Sequence, residues 1–394
     1  MEGALHPKVS RTVCARLRRD GAAEADGVPL KITLFGLTLS SSWGNGHATP
    51  YRAILRALHR LGHSVTFYER DVPYYARHRD LTQCDYCELK LYDSWENIRK
   101  QAIAEAAESD VVITASYVPE GASVADELLS LSGPLRVFYD LDTPITLSRL
   151  ASGDLDYLRA AQLAEFDLVL SWTGGEALAS LERDFGVRVA RPLFGCVDPD
   201  VYRPVHPSPE LRCELSYMGT YAPDRQSKLE TMFLEAARRR PSSRFLLAGS
   251  LYPWEWQWPD NVQRVEHIPP AVHPALYCSS RVTLNLTRAE MAACGYCPSG
   301  RFFEAAACGT PIVTDWFAGL DTFFEPRHEV LVAHGTDDIL HALDEQDTDL
   351  KRMARNARQR TLDEHTGYQR AITLLAAFDA ARSSATGEPK LETA

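Results

Sequence analysis

Short apolar runs alternate with amphipathic stretches along most of this chain. Leu30-Lys-Ile-Thr-Leu-Phe-Gly36 reads as a strand, and a helix is expected over 49–61, with Ile54, Leu55, Leu58 and Leu61 on one face and Gly62 at its end. A second strand is expected over 64–69, and further ones over 111–114, 135–139 and 167–171, each after a plausible helix. Short, wholly apolar strands separated by helices predict a parallel sheet covered on both faces. Between 192 and 204 the rhythm breaks into a turn-rich stretch with three prolines. A second series follows, with strands expected near 215–218, 244–248, 262–266, 282–286, 312–314 and 330–332. Two such runs predict an α/β chain of two Rossmann-like, doubly wound domains facing a cleft.

The boundaries expected from this pattern are a first domain over 28–196, a second over 197–365 and a terminal helix over 366–382. Residues 1–27 contain several arginines but no long apolar core, so they read as a disordered leader and not a secretory signal. The polar tail from 383 to 394 reads as unstructured. Composition changes the picture only by exclusion. A net charge of −11 argues against a nucleic-acid partner, which would need many phosphates neutralised. No apolar run approaches the ~20 residues of a spanning helix, so no stable membrane insertion is expected. Nine cysteines, an odd number, fit a reducing, cytoplasmic setting better than a disulfide framework. The pairs Cys84/Cys87 and Cys294/Cys297 lack the compact spacing of a zinc ribbon, and no metal is expected. Oligomeric state is not legible.

The densest chemical signal is Ser299-Gly-Arg-Phe-Phe-Glu-Ala-Ala-Ala-Cys-Gly-Thr-Pro-Ile-Val-Thr-Asp315. Ser299 suits a helix start, Gly309 a left-handed helix end, and Pro311 forbids further helix before a strand. Arg301 and Glu304 share one face of that helix. An ionised carboxylate only accepts hydrogen bonds, so Glu304 suits a ribose diol; its alternative is an ordinary acid beside an apolar helix.

This string resembles the donor-site signature of group 1 glycosyltransferases, the retaining class with the GT-B fold. The continuation Asp315-Trp-Phe-Ala-Gly-Leu-Asp-Thr-Phe-Phe324 resembles the spore-maturation, CgeB-like members. The resemblance implies transfer of a sugar from a nucleoside diphosphate, with a UDP-sugar as the expected donor, to a hydroxyl or amine of a small-molecule or glycan acceptor. It implies no cofactor beyond that co-substrate. It also implies that the 192–204 stretch is the interdomain linker and that the terminal helix packs back across it. The class carries a second Glu eight residues before the first; Tyr296 stands there, so sugar recognition must differ.

Gly219-Thr-Tyr-Ala-Pro-Asp-Arg225-Gln-Ser-Lys228 follows a strand and opens a helix, where free amides and two cations make a diphosphate site. Arg225 and Lys228, at i and i+3, share a face, so both are expected to reach a departing nucleotide. Arg225, Lys228, Glu304 and His47 are the expected catalytic set. Donor contacts are expected from Gly46, Gly219, Thr220, Gly249, Asn285, Arg288, Arg301, Thr310, Asp315, Gly319 and Leu320. His267 either sandwiches a base or is structural. In the first domain, Trp43, Asn45, Asp140, Asp142, Thr173 and Gly174 are the expected acceptor contacts. Asp140 and Asp142 could equally cap the next turn or, two residues apart, bind a divalent metal.

Three other functions share parts of this pattern. A nucleotide-sugar epimerase would use the same donor. An NAD-dependent oxidoreductase would use Gly44, Gly46 and Glu69, although Thr49 replaces the third glycine. A non-catalytic spore or surface protein is the third, since a fold does not fix an activity.

Overall fold

The computed structural model describes residues 28–253 and 255–386. Residues 1–27 and 387–394, expected to be a leader and most of a tail, lie outside the described residues. Two parallel sheets organise the chain. The first contains β1 (Lys31–Gly36), β2 (Ser64–Arg70), β3 (Glu88–Tyr92), β4 (Val111–Ala115), β5 (Leu135–Asp140), β6 (Leu168–Ser171) and β7 (Ala190–Pro192), in the order β3-β2-β1-β4-β5-β6-β7. The second contains β8 (Cys213–Met218), β9 (Phe245–Ala248), β10 (Val262–Val265), β11 (Ser280–Asn285), β12 (Ile312–Thr314) and β13 (Leu331–Val332), in the order β10-β9-β8-β11-β12-β13. In each, the order reverses beside the first strand of the series, which opens a crevice at the carboxyl ends.

The central strands are buried along nearly their whole length, as expected for sheets covered by helices on both faces. Two edge strands escaped the sequence pattern. Glu-Leu-Lys-Leu-Tyr in β3 is half exposed, and β7 ends in Pro192, which an edge tolerates because its missing N–H faces no partner.

The terminal helix Gly367–Thr386 places Ala371, Leu374, Ala377, Phe378 and Ala381 in the core of the first domain, not the second. Its start fits tightly: a Cβ on Gly367 would lie 2.3 Å from the carbonyl oxygen of Ala53. The helix runs on through Ser383 and Ser384, which were expected to begin the tail. Their hydroxyls donate to the carbonyls four residues back, at 3.0 and 2.9 Å, a bond that serine can make inside a helix.

Candidate active site

A cavity of about 540 Å³ lies between the domains. Its walls are the segments that leave the strands at their carboxyl ends: Leu37 after β1, Tyr117 after β4, Asp142 after β5, Trp172 after β6, Gly219 to Arg225 after β8, Gly249 after β9, His267 after β10 and Arg288 after β11. The parallel sheets aim these loops at each other, so residues far apart in sequence share one space.

The second domain supplies positive charge. Gly219 and Gly249 are fixed by close approach: a Cβ on Gly249 would lie 2.0 Å from the Gly219 carbonyl oxygen, and one on Gly219 would lie 2.2 Å from Arg301 Nη1. Arg225 is 9% exposed; its Nη2 donates to the Thr220 carbonyl, while its Nε is buried without a partner. Arg301 donates to the Met218 carbonyl and to Ser299 Oγ, and stands over the Tyr217 ring. Among the described residues neither guanidinium has a carboxylate within ion-pair distance. Burial lowers the Arg225 pKa, and the charge of Arg301 adds to that push. Buried Arg225, with its open donor, and partly exposed Arg301 stand side by side, an arrangement that can accept an anion.

Glu304 reaches the same cavity from the helix Gly300–Ala307 and is 6% exposed. Gly309 ends that helix at φ 73°, as its sequence requires. Tyr277 Oη donates to Glu304 Oε2 at 3.1 Å.

The first domain supplies His47, Asn45, Gly46 and Asp142. Asn45 Oδ1 accepts from the amides of His47 and Ala48, which starts the helix Ala48–Arg60 and sets His47 at its mouth. Burial lowers the His47 pKa despite Asp142, whose Oδ2 lies 3.9 Å from Nε2. Its Nδ1 is buried without a partner. Tyr117 Oη donates to Asp142 at 2.9 Å.

Several expected contacts lie elsewhere. Lys228 is bound by Asp315 and the Thr287 carbonyl and is not on the cavity wall. Arg225 turns back to the Thr220 carbonyl while the Lys228 ammonium is taken by Asp315 and Thr287, so the two cations do not reach one space. Asp315 also accepts from the Thr287 amide and hydroxyl, so it braces the second domain. Asn285 is buried against Thr314, and Thr310, Gly319 and Leu320 are likewise off the wall. Asp140 is turned inward, accepting from Thr146 Oγ1 at 2.8 Å and from the Asp142 amide at 3.2 Å; burial pushes its pKa up to about 7. Trp43 is off the wall, stacked on His78 and 4.5 Å between ring centres from His267, which itself stays on the wall. Thr173 bonds Cys297 Sγ and the Gly174 amide bonds the Tyr296 carbonyl, which makes this strand end a contact between domains. Arg288 is on the wall but is held by Asp224.

Glu69 settles a different point. Its carboxylate accepts from Thr38 Oγ1, Ser40 Oγ and the amides of Leu39 and Ser40. With four donors already bound and 1% exposure, it has no capacity for a cofactor ribose. Tyr117, Trp172 and His273 line the cavity without having been singled out. Trp172 directly precedes Thr173 and Gly174, which were expected to meet the acceptor; His273 carried no signal of its own.

Residues 225–376 match the family described as Glycosyl transferase-like. No curated protein matches the sequence. Among solved structures, the chain is similar to a sucrose-phosphate synthase from Thermosynechococcus elongatus, with 15% identity, TM-score 0.64, and 90% of this chain and 100% of that one covered. It is also similar to Anabaena Alr3699/HepE in complex with UDP-glucose, at 12% identity and TM-score 0.62, covering 89% and 100%. A third likeness is to an alpha-glucosyltransferase in complex with UDP and a 13-mer DNA containing a HMU base, at 12% identity and TM-score 0.67, covering 90% and 99%. The architecture is therefore the GT-B fold of the glycosyltransferases. The second domain carries the glycosyltransferase-like part of the sequence.

Proposed function

We propose that this protein transfers a sugar from a nucleoside diphosphate, with UDP as the first candidate, to an acceptor hydroxyl or amine with retention at the anomeric carbon. One observation carries the reading: Arg225, buried with an unpartnered Nε, stands beside the partly exposed Arg301 in the same cavity as Glu304. A nucleoside diphosphate matches both features, with its ribose diol donating to Glu304 and its diphosphate accepting from the guanidinium groups. When the sugar–phosphate bond lengthens, negative charge grows on the departing diphosphate, and fixed cations there stabilise it. In this reading the leaving phosphate takes the acceptor proton. Neutral His47, on the opposite wall with Asp142, orients the acceptor hydroxyl. No resident cofactor or metal enters the scheme. The Asp315–Phe324 stretch supports placement among CgeB-like enzymes, and the free thiols of the eight described cysteines support a cytoplasmic setting. An epimerase would require the donor without an acceptor; the saturated Glu69 weighs against the oxidoreductase.

The test is a thermal-shift panel of UDP-, GDP- and dTDP-glucose, since a ligand bound only by the native state raises its stability. A UDP-glucose response is expected, together with slow release of UDP that Glu304→Gln lowers by on the order of a hundredfold or more. No response to any of the three, or unchanged UDP release by Glu304→Gln, overturns the reading.

A further inference from the structure

Beside Glu304 lies a chain of largely buried polar groups that no step above uses. His273 Nε2 is 2.8 Å from the Ile268 carbonyl oxygen. A carbonyl only accepts, so Nε2 carries the hydrogen, and in the neutral ring Nδ1 is left as a lone pair. That lone pair accepts from the hydroxyl of Tyr202, 3.1 Å away. The same Nδ1 lies 3.9 Å from Glu304 Oε2, the oxygen that Tyr277 already holds. Tyr202 comes from the segment joining the domains, and its hydroxyl is 3.4 Å from Thr49 Oγ1 on the first-domain helix that follows His47. The pair therefore sits where linker, first domain and donor cavity meet.

On the reading that Glu304 binds the donor ribose, we propose that Tyr202 and His273 are positioning residues that keep the Glu304 carboxylate free for the nucleotide. The neutral, Nε2–H imidazole offers Glu304 no donor. Protonation would place a second N–H at Nδ1, between the Tyr202 oxygen and Glu304. The carboxylate then commits a lone pair to the imidazolium, and the ribose loses an acceptor. Burial lowers the His273 pKa and so favours the neutral form, against the opposing pull of Glu304. The other groups acting on it are Tyr202, His267 and, from the first domain, Asp80. Donor binding should therefore weaken in acid through a group that does not touch the donor ribose.

Calorimetric titration of the full chain with UDP-glucose between about pH 5 and pH 8 tests this, because the charge of that diphosphate is constant over the range. Affinity should fall by up to about tenfold for each pH unit below the protonation midpoint of His273. Tyr202→Phe strips the donor from Nδ1, which then takes a proton more easily, so the midpoint should move upward. His273→Gln should abolish the inflection. Coincident profiles for the wild type and Tyr202→Phe overturn the inference. Nitrogen-15 spectra of the wild-type histidines provide a check that needs no folded variant, with the His273 resonances expected to show Nε2 protonated near neutral pH. An Nδ1–H tautomer overturns the inference as well. Absence of UDP-glucose binding to the wild type at neutral pH counts instead against the donor site itself.

Discussion

Replacing Arg225 by Met should make the protein more stable and less able to bind its donor. Its guanidinium is 9% exposed, has one bond to a carbonyl, an unpartnered Nε, and a second cation as neighbour. A buried charged group with an unmade hydrogen bond costs more than the roughly 1–3 kcal/mol of a neutral one, while the charge-assisted bond to Thr220 returns about 1.5–3 kcal/mol. Methionine keeps most of the stem's volume without the charge, and such replacements of buried ions are often neutral or stabilising. The expected net gain is about 1 kcal/mol, or roughly 2–4 °C in the unfolding midpoint for a domain of this size. Against the donor the sign reverses. Charge-assisted hydrogen bonds contribute about 1.5–3 kcal/mol, so UDP-glucose affinity should fall on the order of ten- to a hundredfold. Thermal unfolding without nucleotide gives the first quantity and calorimetry the second. A variant that unfolds earlier yet binds UDP-glucose normally would refute the reasoning and make Arg225 a structural brace.

Lys228→Met should show the opposite balance, with stability falling by about 1–3 kcal/mol because Asp315 is left buried without its cation, and UDP-glucose affinity changing less than in Arg225→Met; a larger affinity loss than stability loss, read by the same two assays, would return Lys228 to the diphosphate. Gly249→Ala should cost about 1–3 kcal/mol or more, since its Cβ would meet the Gly219 backbone at 2.0 Å and neither backbone can rotate away, whereas Gly46→Ala, with nothing within 4 Å, should unfold at the wild-type temperature. Stability should decline as pH falls below about 6.5. His47, His273 and His365 have folded pKa values lowered by burial, so the unfolded chain takes up protons that the native one resists, at up to about 1.4 kcal/mol per pH unit for each. Asp140, raised to about 7, acts in the other direction: its contribution is present in acid and lost as pH rises through 7, and one aspartate does not offset three histidines. A midpoint that rises on acidification, in thermal scans from pH 7 to about pH 5.5, would contradict the assignment.

What could be read from sequence follows from where each determinant lies. The central strands were legible because burial on both faces makes them apolar over their whole length, as in Val111–Ala115. Strands β3 and β7 were not, because an edge permits Glu88, Lys90 and Pro192. Arg225, Arg301 and Glu304 could be picked out because each sits in a local string that fixes its own turn or helix. Lys228 misled because local spacing is silent about Asp315, a partner 87 residues away that captures the ammonium. Thr173 and Gly174 misled in a related way. A strand end does point to the cleft, but there the loop carrying Tyr296 and Cys297 covers it. The contacts of Tyr202 and His273 join three distant segments, and no periodicity carries information of that kind.

The position of Tyr296 constrains how a donor sugar could be held. At this point in related sequences a carboxylate is expected, but here the ring packs against Gly175 and Gly319, where an added Cβ would lie 2.6 and 2.4 Å from ring carbons. The Tyr296 carbonyl meanwhile accepts from the Gly174 amide across the domain boundary. A position that joins domains in this way cannot also present an acceptor to a hexose. Besides Glu304, the carboxylates on the cavity wall are Glu266 and Asp142, and the one from the first domain is Asp142, held by Tyr117 and facing His47. Recognition is then divided by chemistry as well as by domain. Cations and Glu304 on one side suit the nucleotide, and Asp142 with a neutral imidazole on the other suits hydroxyls. On the proposed reading a free nucleotide would need only the second domain, whereas a nucleotide sugar would gain its remaining contacts where the two domains meet, which would make the domain contact itself part of the sugar specificity.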